Sequence, residues 1–421
     1  MDCLIIGGGA AGFQAAFSCR RDWPEKSVTL IEAEREAGYY RTLLPPFMAG
    51  ELEEEKLFFW QPGEDPLFHV RLGERVQAVN LASRVVKLGN GEDLRYERLI
   101  LAPGGQPFLP EVCAKHSCPG MFSVRDLTTA RKIKVWIAEH RNVVVLGGGL
   151  VGVKTAVYLR LSGLEVSLVE KEDHLLPQAL SPAAAAPVEA HLERMGIRLY
   201  LASTLNDIEG EKGSLRSVQA GEKRLPCNTL LVAIGSTPDV AFLQDSGLLE
   251  NGELIVSSTL QTRDEKIFAA GDAVRISTGE ENKVSPWIWP QAVAQGKLAG
   301  ANVYESVPRP LRVLTRPNSM NLHGLSLAIL GPPVEGAERL CLASPSKGFY
   351  RELFLAGGRI VGGALIGDLS AAGSLQTLMA SGKEVGLGAA DLLRDGRRVL
   401  SHPPGDGGAR RRRAKYLLNW S

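Results

Sequence analysis

Short apolar runs, each followed by glycines and then by a stretch of helical spacing, dominate the pattern of hydrophobic and polar positions. The chain opens on one such run, "CLII", which leads through "GGGAAG" into a segment rich in small residues. A second run, "VTLI", follows that segment, and the arrangement recurs from "VVVLGGGLVG" onward. Apolar runs of this length bounded by turns are typical of strands buried on both faces. Their alternation with helices predicts an α/β fold built on parallel sheets.

The first glycine motif has the spacing of a dinucleotide-binding turn. Gly7 permits the tight turn, Gly9 lets the backbone approach a pyrophosphate, and Gly12 lets the helix pack closely on the strand. The second strand ends in Glu32, whose carboxylate can accept a hydrogen bond from a ribose hydroxyl. Because the helix N-terminus offers free N–H groups to phosphates, this unit predicts a bound dinucleotide.

The second glycine motif repeats every part of the first. Gly147, Gly149 and Gly152 keep the same spacing between an apolar run and a helix, and the following strand ends in Glu170. An acidic residue at this place accepts from the 2′-hydroxyl of NAD and repels the 2′-phosphate of NADP. Two complete motifs predict two dinucleotides, and the economical pair is a flavin dinucleotide with NAD(H).

Composition and charge narrow the range of partners. With 421 residues, 44% of them hydrophobic and 23% charged, the chain is long enough for several domains. The net charge of +1 gives no reason to expect nucleic acid or an anionic membrane as partner. No apolar run has the length of a membrane span, and the chain begins directly on a strand, without room for a signal peptide. We therefore expect a cytoplasmic protein.

The six cysteines form no C-x-x-C pair. Cys113 and Cys118 flank His116, but a zinc site needs a second pair of ligands at matching spacing, and none is visible. We interpret these thiols as reduced and expect no metal site. Cys3 and Cys227 fall in or beside apolar runs, where cysteine packs as a small core residue.

In their order along the chain, the motifs resemble the pyridine nucleotide–disulfide oxidoreductase superfamily, whose flavoproteins bind two dinucleotides. The later segments that carry the resemblance are "RLILAPGGQP", "LVAIGSTPDV", "KIFAAGDAV" and "WPQAVAQGKLAG". The likeness extends from Met1 to about Leu375. It implies FAD and NAD(H) as cofactors and an α/β fold with two Rossmann-like domains, the NAD domain being inserted in the FAD domain. A C-terminal α+β interface domain completes the implied architecture.

The same resemblance sets the predicted domain boundaries. They are an FAD domain at 1–107 and 235–306, an NAD domain at 108–234, an interface domain at 307–400 and a tail at 401–421. The interface domain begins after a helix predicted to end in "NVYE", and its clearest feature is residues 350–368. Two alternating strands joined by Gly-Gly predict a hairpin there.

The motifs and the resemblance together predict the residues that contact each cofactor. The FAD contacts are Gly7, Gly9, Gly12, Glu32, Arg41, Ala102, Gly104, Gly271, Asp272 and Gln291. The NAD contacts are Gly147, Gly149, Gly152, Glu170 and Gly235. Asp272 is expected at the ribityl and phosphate end of FAD. The helix that carries Gln291 is expected to direct its N-terminus at the isoalloxazine carbonyl edge, where its dipole favours negative charge.

One position departs from the family pattern. Many relatives carry a glutamate two residues after the third glycine of the nicotinamide motif, whereas this chain has Lys154. A lysine there can stabilise an anionic reduced flavin or neutralise a phosphate of NAD. It can equally be a solvated residue whose stem covers apolar surface. Both interpretations stay open, and Lys154 is the one candidate for a catalytic role.

Residues 39–50, "YYRTLLPPFMAG", which we call the loop 39–50, contain no cysteine. Disulfide reductases of this superfamily hold redox cysteines as a C-x(4)-C pair after the first unit, as a C-x-x-C in the NAD domain, or as a single thiol in this loop. None of the three is present, so this chain is not expected to be one. The loop resembles that of NADH:rubredoxin and ferredoxin reductase-type flavoproteins, in which the arginine helps to hold FAD. Arg41 is therefore the predicted FAD contact of this loop, and the alternative is an ion pair with the nearby "ELEEE".

The resemblance implies a direct electron path. Hydride passes from NADH to FAD without a covalent intermediate, and electrons then pass singly to an iron–sulfur carrier, or the sequence runs in reverse. The tail adds four arginines, Arg410 to Arg413, and an apolar-aromatic end that closes at Ser421. We hypothesise that this tail docks on an acidic partner surface. The chain would then be the NAD(H)-reacting flavoprotein subunit of a larger 2-oxoacid or aldehyde oxidoreductase complex, an oligomer or hetero-complex.

Two other functions remain open. The first is a free-standing NADH:rubredoxin or ferredoxin reductase, or an NADH oxidase that passes electrons to oxygen. The second belongs to another class, a flavin-bearing scaffold or binding protein with incidental redox activity. Rapid aerobic NADH consumption by the purified chain favours the oxidase, and negligible turnover with every artificial acceptor favours the scaffold.

Overall fold

Residues 1–107 and 235–306, here called the flavin unit, are built around the first βαβ motif, and residues 108–234 are called the nicotinamide unit. A computed structural model of the protein describes residues 1–61, 63, 65–116, 118–211, 214–277, 288–311, 317–344, 348–385 and 393. Its first strands are β1 (Cys3–Ile6), β2 (Val28–Glu32), β3 (Phe68–Leu72), β4 (Val76–Asn80), β5 (Val85–Leu88), β6 (Asp93–Arg95) and β7 (Arg98–Leu101). Helices α1 (Ala10–Asp22) and α2 (Leu44–Met48) and the 3-10 turns Arg41–Leu43 and Glu54–Leu57 lie between them. Strand β1 is buried at every position, as its unbroken apolar run predicted.

The nicotinamide unit repeats this construction. The connecting strand β8 (Gly105–Pro107) leads into it, and its own strands are β9 (Met121–Ser123), β10 (Asn142–Leu146), β11 (Glu165–Val169), β12 (Arg198–Tyr200), β13 (Leu205–Glu211), β14 (Ser214–Ala220), β15 (Lys223–Pro226) and β16 (Thr229–Val232). Its helices are α3 (Glu111–Lys115), α4 (Leu127–Trp136), α5 (Leu150–Leu161) and α6 (Pro182–Arg194). A parallel sheet has the order β12-β11-β10-β16-β9, and β13 to β15 form an antiparallel sheet beside it.

The chain then returns to the flavin unit. The returning elements are β17 (Ser236–Pro238), the 3-10 turn Ala241–Leu243, β18 (Leu249–Glu250), β19 (Glu253–Val256), β20 (Ile267–Ala269), β21 (Val274–Ile276) and α7 (Trp289–Asn302). Strand β20 joins the parallel flavin sheet in the order β20-β7-β1-β2-β3. The outgoing strand β8 and the returning strand β17 pair antiparallel, with Gln106 opposite Thr237, so the two crossings between the units run side by side.

The C-terminal unit is an antiparallel sheet with one helix. Its elements are β22 (Asn318–Asn321), β23 (Ser326–Gly331), β24 (Glu338–Ser344), β25 (Phe349–Ala356), β26 (Arg359–Ile366) and α8 (Ala372–Ser381), and the strand order is β22-β23-β26-β25-β24. The hairpin predicted within 350–368 is confirmed: β25 pairs antiparallel with β26, and Gly357 and Gly358 have φ of 55° and 73° between them. Positive φ at both central residues is what a two-residue hairpin turn requires.

This unit docks on the nicotinamide unit at helix α6. Ser181, the N-cap of α6, donates its hydroxyl to the fully buried carboxylate of Glu352 on β25, at 2.7 Å. Arg339 on β24 pairs with the same carboxylate at 3.0 Å. Farther along α6, His191 Nε2 lies 2.7 Å from the carbonyl oxygen of Leu322. These contacts, with two Rossmann-like sheets and a separate antiparallel sheet, confirm the predicted fold class.

The observed elements differ from the predictions in two details. Strand β11 ends at Val169, one residue before Glu170, which therefore follows the strand instead of closing it. Helix α7 ends at Asn302 instead of continuing to "NVYE". There the Asn302 side chain turns back and donates to the carbonyl oxygens of Arg309 and Thr259, at 2.8 and 3.1 Å. These bonds tie the end of α7 to the segment that follows it and to the one that carries Thr259.

Helices α1 and α7 cross at very short range. A Cβ on Gly296 or Gly300 of α7 would overlap the carbonyl oxygen of Ala11 or Ala15 of α1. Both positions therefore require glycine, and the backbones meet where side chains would separate them. No helix among the described residues is both long and apolar enough to cross a bilayer. The tail from Arg410 to Ser421 lies outside the described residues.

Candidate functional site

The first glycine motif forms an open cradle at the start of α1. Gly7 has φ of 103°, and a Cβ on Gly12 would overlap the Gly7 carbonyl oxygen, so both must be glycine. Gly9 is the N-cap of α1, and its side of the turn is empty: no heavy atom lies within 4 Å of where its Cβ would be. The turn therefore offers uncapped helix N–H groups with room in front of them, which is an anion site.

Glu32 braces this cradle. Its Oε2 accepts from the Gly8 N–H at 2.5 Å, and its Oε1 accepts from the Glu34 N–H at 2.8 Å. Burial raises the pKa of the Glu32 carboxyl, against the Glu34 N–H, the Arg41 charge and the Gly8 N–H, which all favour ionisation. The acid predicted to meet a ribose therefore also fixes the turn that precedes it.

The second motif has the same geometry. Gly147 has φ of 111°, and a Cβ on Gly152 would overlap the Gly147 carbonyl oxygen. Glu170 Oε2 accepts from the Gly148 N–H at 2.5 Å, and its Oε1 accepts from the Glu172 N–H at 2.9 Å. Gly149 is the uncapped N-cap of α5, with no heavy atom within 4 Å of its Cβ position. Both cradles, as built, fit the pyrophosphate of a dinucleotide.

The loop 39–50 places Arg41 in a half-buried polar group. Arg41 Nη2 donates to Glu34 Oε1 at 2.5 Å, and its Nη1 donates to the carbonyl oxygen of Arg125 at 3.0 Å. The Tyr39 hydroxyl donates to the other oxygen of Glu34 at 2.6 Å. Arg41 thus pairs with Glu34 and not with the alternative partner "ELEEE", of which Glu54 pairs with Arg131 at 2.6 Å.

Arg125, which the sequence did not single out, lies beside several predicted FAD contacts. A Cβ on Gly104 would lie 3.1 Å from Arg125 Nη2, and Arg125 Nη1 lies 4.0 Å from Asp272 Oδ2. Burial lowers the pKa of the Arg125 guanidinium, and the nearby Arg41 charge lowers it further. Burial likewise raises the pKa of Asp272, opposed by Arg125 and Arg41.

Three predicted FAD contacts that are far apart in the sequence therefore meet at Arg125. They are Arg41, Gly104 and Asp272. Arg125 precedes α4, in the segment assigned to the NAD domain, where the only sequence signal is a cation before the N-cap Asp126. A solvated arginine at a helix start looks the same in sequence, so pattern alone could not single it out.

The other predicted contacts lie at strand ends and helix starts of the two units. Ala102 donates its N–H to Ile6 at 2.8 Å, and its carbonyl oxygen is the atom that a Cβ on Gly7 would overlap. Gly271 has φ of 86° and donates its N–H to Gln295 Oε1 at 2.7 Å. Gln291 lies in the first turn of α7. Gly235 has φ of 104° and follows the end of β16.

Lys154 crosses between the units. It lies on α5, and its Nζ donates to the carbonyl oxygen of Thr42 in the loop 39–50 at 2.6 Å. The side chain is half-buried, and burial lowers the pKa of its ammonium group. Because the hydrogen bond to Thr42 is exposed, a role of Lys154 at the cofactors stays a prediction beside the solvated alternative.

The rest of the loop 39–50 contains the short helix α2 (Leu44–Met48), which fills the space between the two units and is called the plug below. Leu44, Phe47 and Met48 of α2 are buried in one cluster with Val153 and Ala156 of α5. The two prolines fall at the start of α2, where proline is well tolerated because its missing N–H would have no partner. The segment that elsewhere carries a redox thiol here packs the flavin unit against the nicotinamide unit.

None of the six cysteines is disulfide-bonded or belongs to the loop 39–50. Burial raises the pKa of Cys113 to about 11 and that of Cys227 to about 12, so both are thiols at neutral pH. Cys3 is completely buried, and hydrogen bonding with Cys19 and burial raise its pKa as well. A buried neutral thiol is a poor nucleophile. Within the described ranges, no group of three His, Cys, Asp or Glu side chains is placed to hold a metal ion.

Comparison with known proteins assigns the chain to a family. The profile of the pyridine nucleotide-disulphide oxidoreductase family matches residues 1–296, and that of the rubredoxin NAD+ reductase C-terminal domain matches residues 318–383. The NADH oxidase of Methanocaldococcus jannaschii is 30% identical over 317 residues, which is 72% of this chain and 70% of that protein. The rubredoxin-NAD(+) reductase of Pseudomonas putida is 27% identical over 337 residues, 77% of this chain and 86% of that protein.

A further relative is a named subunit. The NADH-dependent phenylglyoxylate dehydrogenase subunit epsilon of Aromatoleum evansii is 28% identical over 307 residues, 70% of this chain and 71% of that protein. Among solved structures, the ferredoxin reductase for the CYP199A2 system of Rhodopseudomonas palustris has a TM-score of 0.87 at 23% identity, covering 94% of this chain and 99% of that one. That likeness supports the fold. The chain belongs to the pyridine nucleotide-disulphide oxidoreductase family and is an FAD-dependent oxidoreductase of NAD(H).

Proposed function

We propose that this protein passes electrons between NAD(H) and an iron–sulfur carrier, as the NAD(H)-reacting flavoprotein subunit of a larger 2-oxoacid or aldehyde oxidoreductase complex. The observation that carries the proposal is the loop 39–50, which joins the two dinucleotide units through Arg41 and α2 and has no thiol. Without a thiol beside the flavin, the protein has no disulfide on which to rest electrons. An external acceptor must therefore take them.

The residues have separate tasks in this proposal. The Gly7–Gly12 cradle and Glu32 would hold the adenosine and pyrophosphate of FAD, with Arg41, Arg125 and Asp272 at its phosphates and ribityl chain. The matching cradle at α5 and Glu170 would hold NAD(H). Bound FAD accepts a hydride from NADH and releases electrons singly, which is the chemistry that the cofactors supply. The protein contributes orientation, charge and exclusion of water.

The relatives support an iron–sulfur partner by their names. One is named a rubredoxin-NAD(+) reductase, and a biphenyl dioxygenase component from Paraburkholderia xenovorans is named a ferredoxin–NAD(+) reductase. The Aromatoleum relative, named as a subunit of an NADH-dependent dehydrogenase, favours the complex over a free-standing reductase. The proposed domain boundaries stay at 107, 234, 306 and 400.

Deleting residues 409–421 tests the complex. If the tail docks on a partner, the shortened chain loses co-purification with its iron–sulfur partner while its NADH–dye reductase activity stays at the wild-type level. The control is a chain in which Arg410 to Arg413 are replaced by lysine, which keeps the charge. Unchanged assembly after the deletion would refute the docking role of the tail.

NADH oxidase activity is a second candidate, favoured by the Methanocaldococcus relative that carries this name. The two functions separate in one assay of the purified holoprotein. A carrier reductase consumes NADH slowly in air and rapidly when ferredoxin or rubredoxin is added. An oxidase consumes NADH rapidly in air alone, and an added carrier changes little.

A further inference from the structure

Lys154 connects the helix of one dinucleotide cradle to the loop 39–50 of the other unit. It lies on α5, the helix whose N-terminus forms the nicotinamide cradle at Gly149. Its Nζ reaches the carbonyl oxygen of Thr42, in the 3-10 turn that also holds Arg41. The lysine thus extends from the proposed NAD(H) site to the proposed FAD site, and this inference rests on the function proposed above.

The charge of Lys154 is not neutralised by the protein. Its Nζ donates to a neutral carbonyl oxygen, and among the described residues no carboxylate lies within ion-pair distance of it. Arg41, in contrast, is paired with Glu34, and Arg131 with Glu36 and Glu54. The hydrogen bond is exposed, so the ammonium group keeps contact with solvent, and its positive charge is left for an anionic group bound beside it. Partial burial of the side chain lowers the pKa of Lys154.

We infer that Lys154 is a positioning residue that biases the redox step toward oxidation of NADH. A fixed positive charge disfavours the oxidised nicotinamide ring, which is positive, relative to the neutral reduced ring. The same charge favours the flavin after reduction, when the flavin gains negative charge. The step would balance without a further proton, since a hydride passed from NADH to FAD would leave NAD+ and a reduced flavin with one negative charge. Both effects act in one direction, so Lys154 favours the flow of electrons from NADH to the flavin.

The test separates the charge of Lys154 from its hydrogen bond. Lys154→Gln keeps an N–H donor for the Thr42 carbonyl and removes the charge, and Lys154→Arg keeps both. The matched control is Lys134→Gln on α4, which removes a lysine that lies over the Phe47 ring, at 4.5 Å, on the other side of the same plug. All variants are compared as FAD-loaded protein.

Two equilibrium measurements carry the result. The first is the two-electron midpoint potential of the bound flavin, and the second is the ratio of the dissociation constants of NAD+ and 1,4,5,6-tetrahydro-NAD, an unreactive analogue of NADH. Lys154→Gln should lower the midpoint potential by about 30 mV, the equivalent of a tenfold change for two electrons. It should also tighten NAD+ relative to the analogue by roughly tenfold, while Lys154→Arg and Lys134→Gln keep the wild-type values.

Wild-type values of both quantities in Lys154→Gln would overturn the inference, and so would an equal shift in Lys134→Gln, which would indicate a general effect of charge. Neither result touches the proposed function. That proposal fails on a different observation, namely that NADH does not reduce the flavin of the wild-type protein.

Discussion

The two glycine cradles are nearly the same in chemistry and differ in what surrounds them. In both, a glutamate accepts at 2.5 Å from the N–H that follows the first motif glycine, that of Gly8 or Gly148, and also accepts from the N–H two residues after itself. The flavin cradle is additionally enclosed: α7 presses on α1 across Gly296 and Gly300, and Gln295 accepts from Gly271. The helix of the nicotinamide cradle is instead packed by the plug α2.

This difference in enclosure predicts that FAD dissociates slowly from the protein and that NAD(H) dissociates quickly. The enclosing contacts of the flavin cradle come from three separate parts of the chain: the loop 39–50, the segment at Arg125, and the segment of Asp272 and α7. A ligand held by all three leaves only when they separate, whereas a ligand held by one cradle and one acid leaves quickly. We therefore expect FAD to be retained through purification and NAD(H) to bind reversibly.

A matched pair of valine substitutions should have the largest effect and tests whether the two cradles bind their cofactors independently. In Gly12→Val and Gly152→Val the added side chain overlaps the carbonyl oxygen of the first glycine, so each cradle loses its shape. Gly12→Val should yield protein without flavin, and Gly152→Val should keep its flavin but bind NADH at least about a hundredfold more weakly. Absorbance at the flavin band and NADH titration measure the two effects. Flavin loss in both variants would show that the cradles are not independent.

A milder pair tests the two acids. Glu32→Ala removes the acceptor of the Gly8 and Glu34 N–H groups and should weaken FAD retention by roughly tenfold or more, since hydrogen bonds to a charged group are worth about 1.5–3 kcal/mol. Glu170→Ala should leave FAD in place and erode the preference for NADH over NADPH. Flavin occupancy and kcat/KM for the two nucleotides give the readouts. A wild-type preference for NADPH would refute the NAD assignment.

The role of Arg125 is tested against a neighbouring arginine. Arg125→Met removes the cation beside Gly104 and Asp272 and should raise the Kd of FAD by about tenfold. Arg131→Met, which breaks only the partly exposed pairs with Glu36 and Glu54, should leave the Kd of FAD unchanged. The Kd comes from titrating apoprotein with FAD. Equal effects of the two variants would remove Arg125 from the site.

The smallest expected effect is a dependence of stability on pH. Because burial raises the pKa of Asp272 despite Arg125 and Arg41, ionising this carboxyl destabilises the apoprotein. Asp272→Asn should therefore raise the Tm of the apoprotein at neutral pH. The gain should shrink as the pH falls through the raised pKa, where wild-type Asp272 is itself protonated. With FAD bound, the variant should lose its advantage, and a gain that does not change with pH would contradict this reasoning.

The sequence predicted those parts of the molecule that local rules determine. The apolar runs, the glycine spacings and the Gly-Gly hairpin each follow from requirements within a few residues, and the strands β1, β2, β25 and β26 appear where those rules place them. The contacts between distant segments could not be predicted in the same way. Nothing near Arg125 or Lys154 in the sequence specifies that their side chains meet Gly104 or Thr42.

The loop 39–50 shows the limit most clearly. Its missing cysteine was readable from the sequence, but its role as a buried plug between the units was not, because two adjacent prolines suggest an irregular loop. The prolines instead start a short helix whose apolar side chains meet α5. Tertiary packing, not local preference, decides the structure of such a segment.

In the proposed function, electrons pass from the flavin out of the protein without resting on a thiol. An anaerobic titration of the FAD-loaded protein with NADH, followed at the flavin absorbance band, tests it most directly. The account predicts that the flavin is fully reduced by one equivalent of NADH per FAD, because the cofactor is the only two-electron store. Consumption of a second equivalent before reduction is complete would reveal a redox-active disulfide and contradict the account.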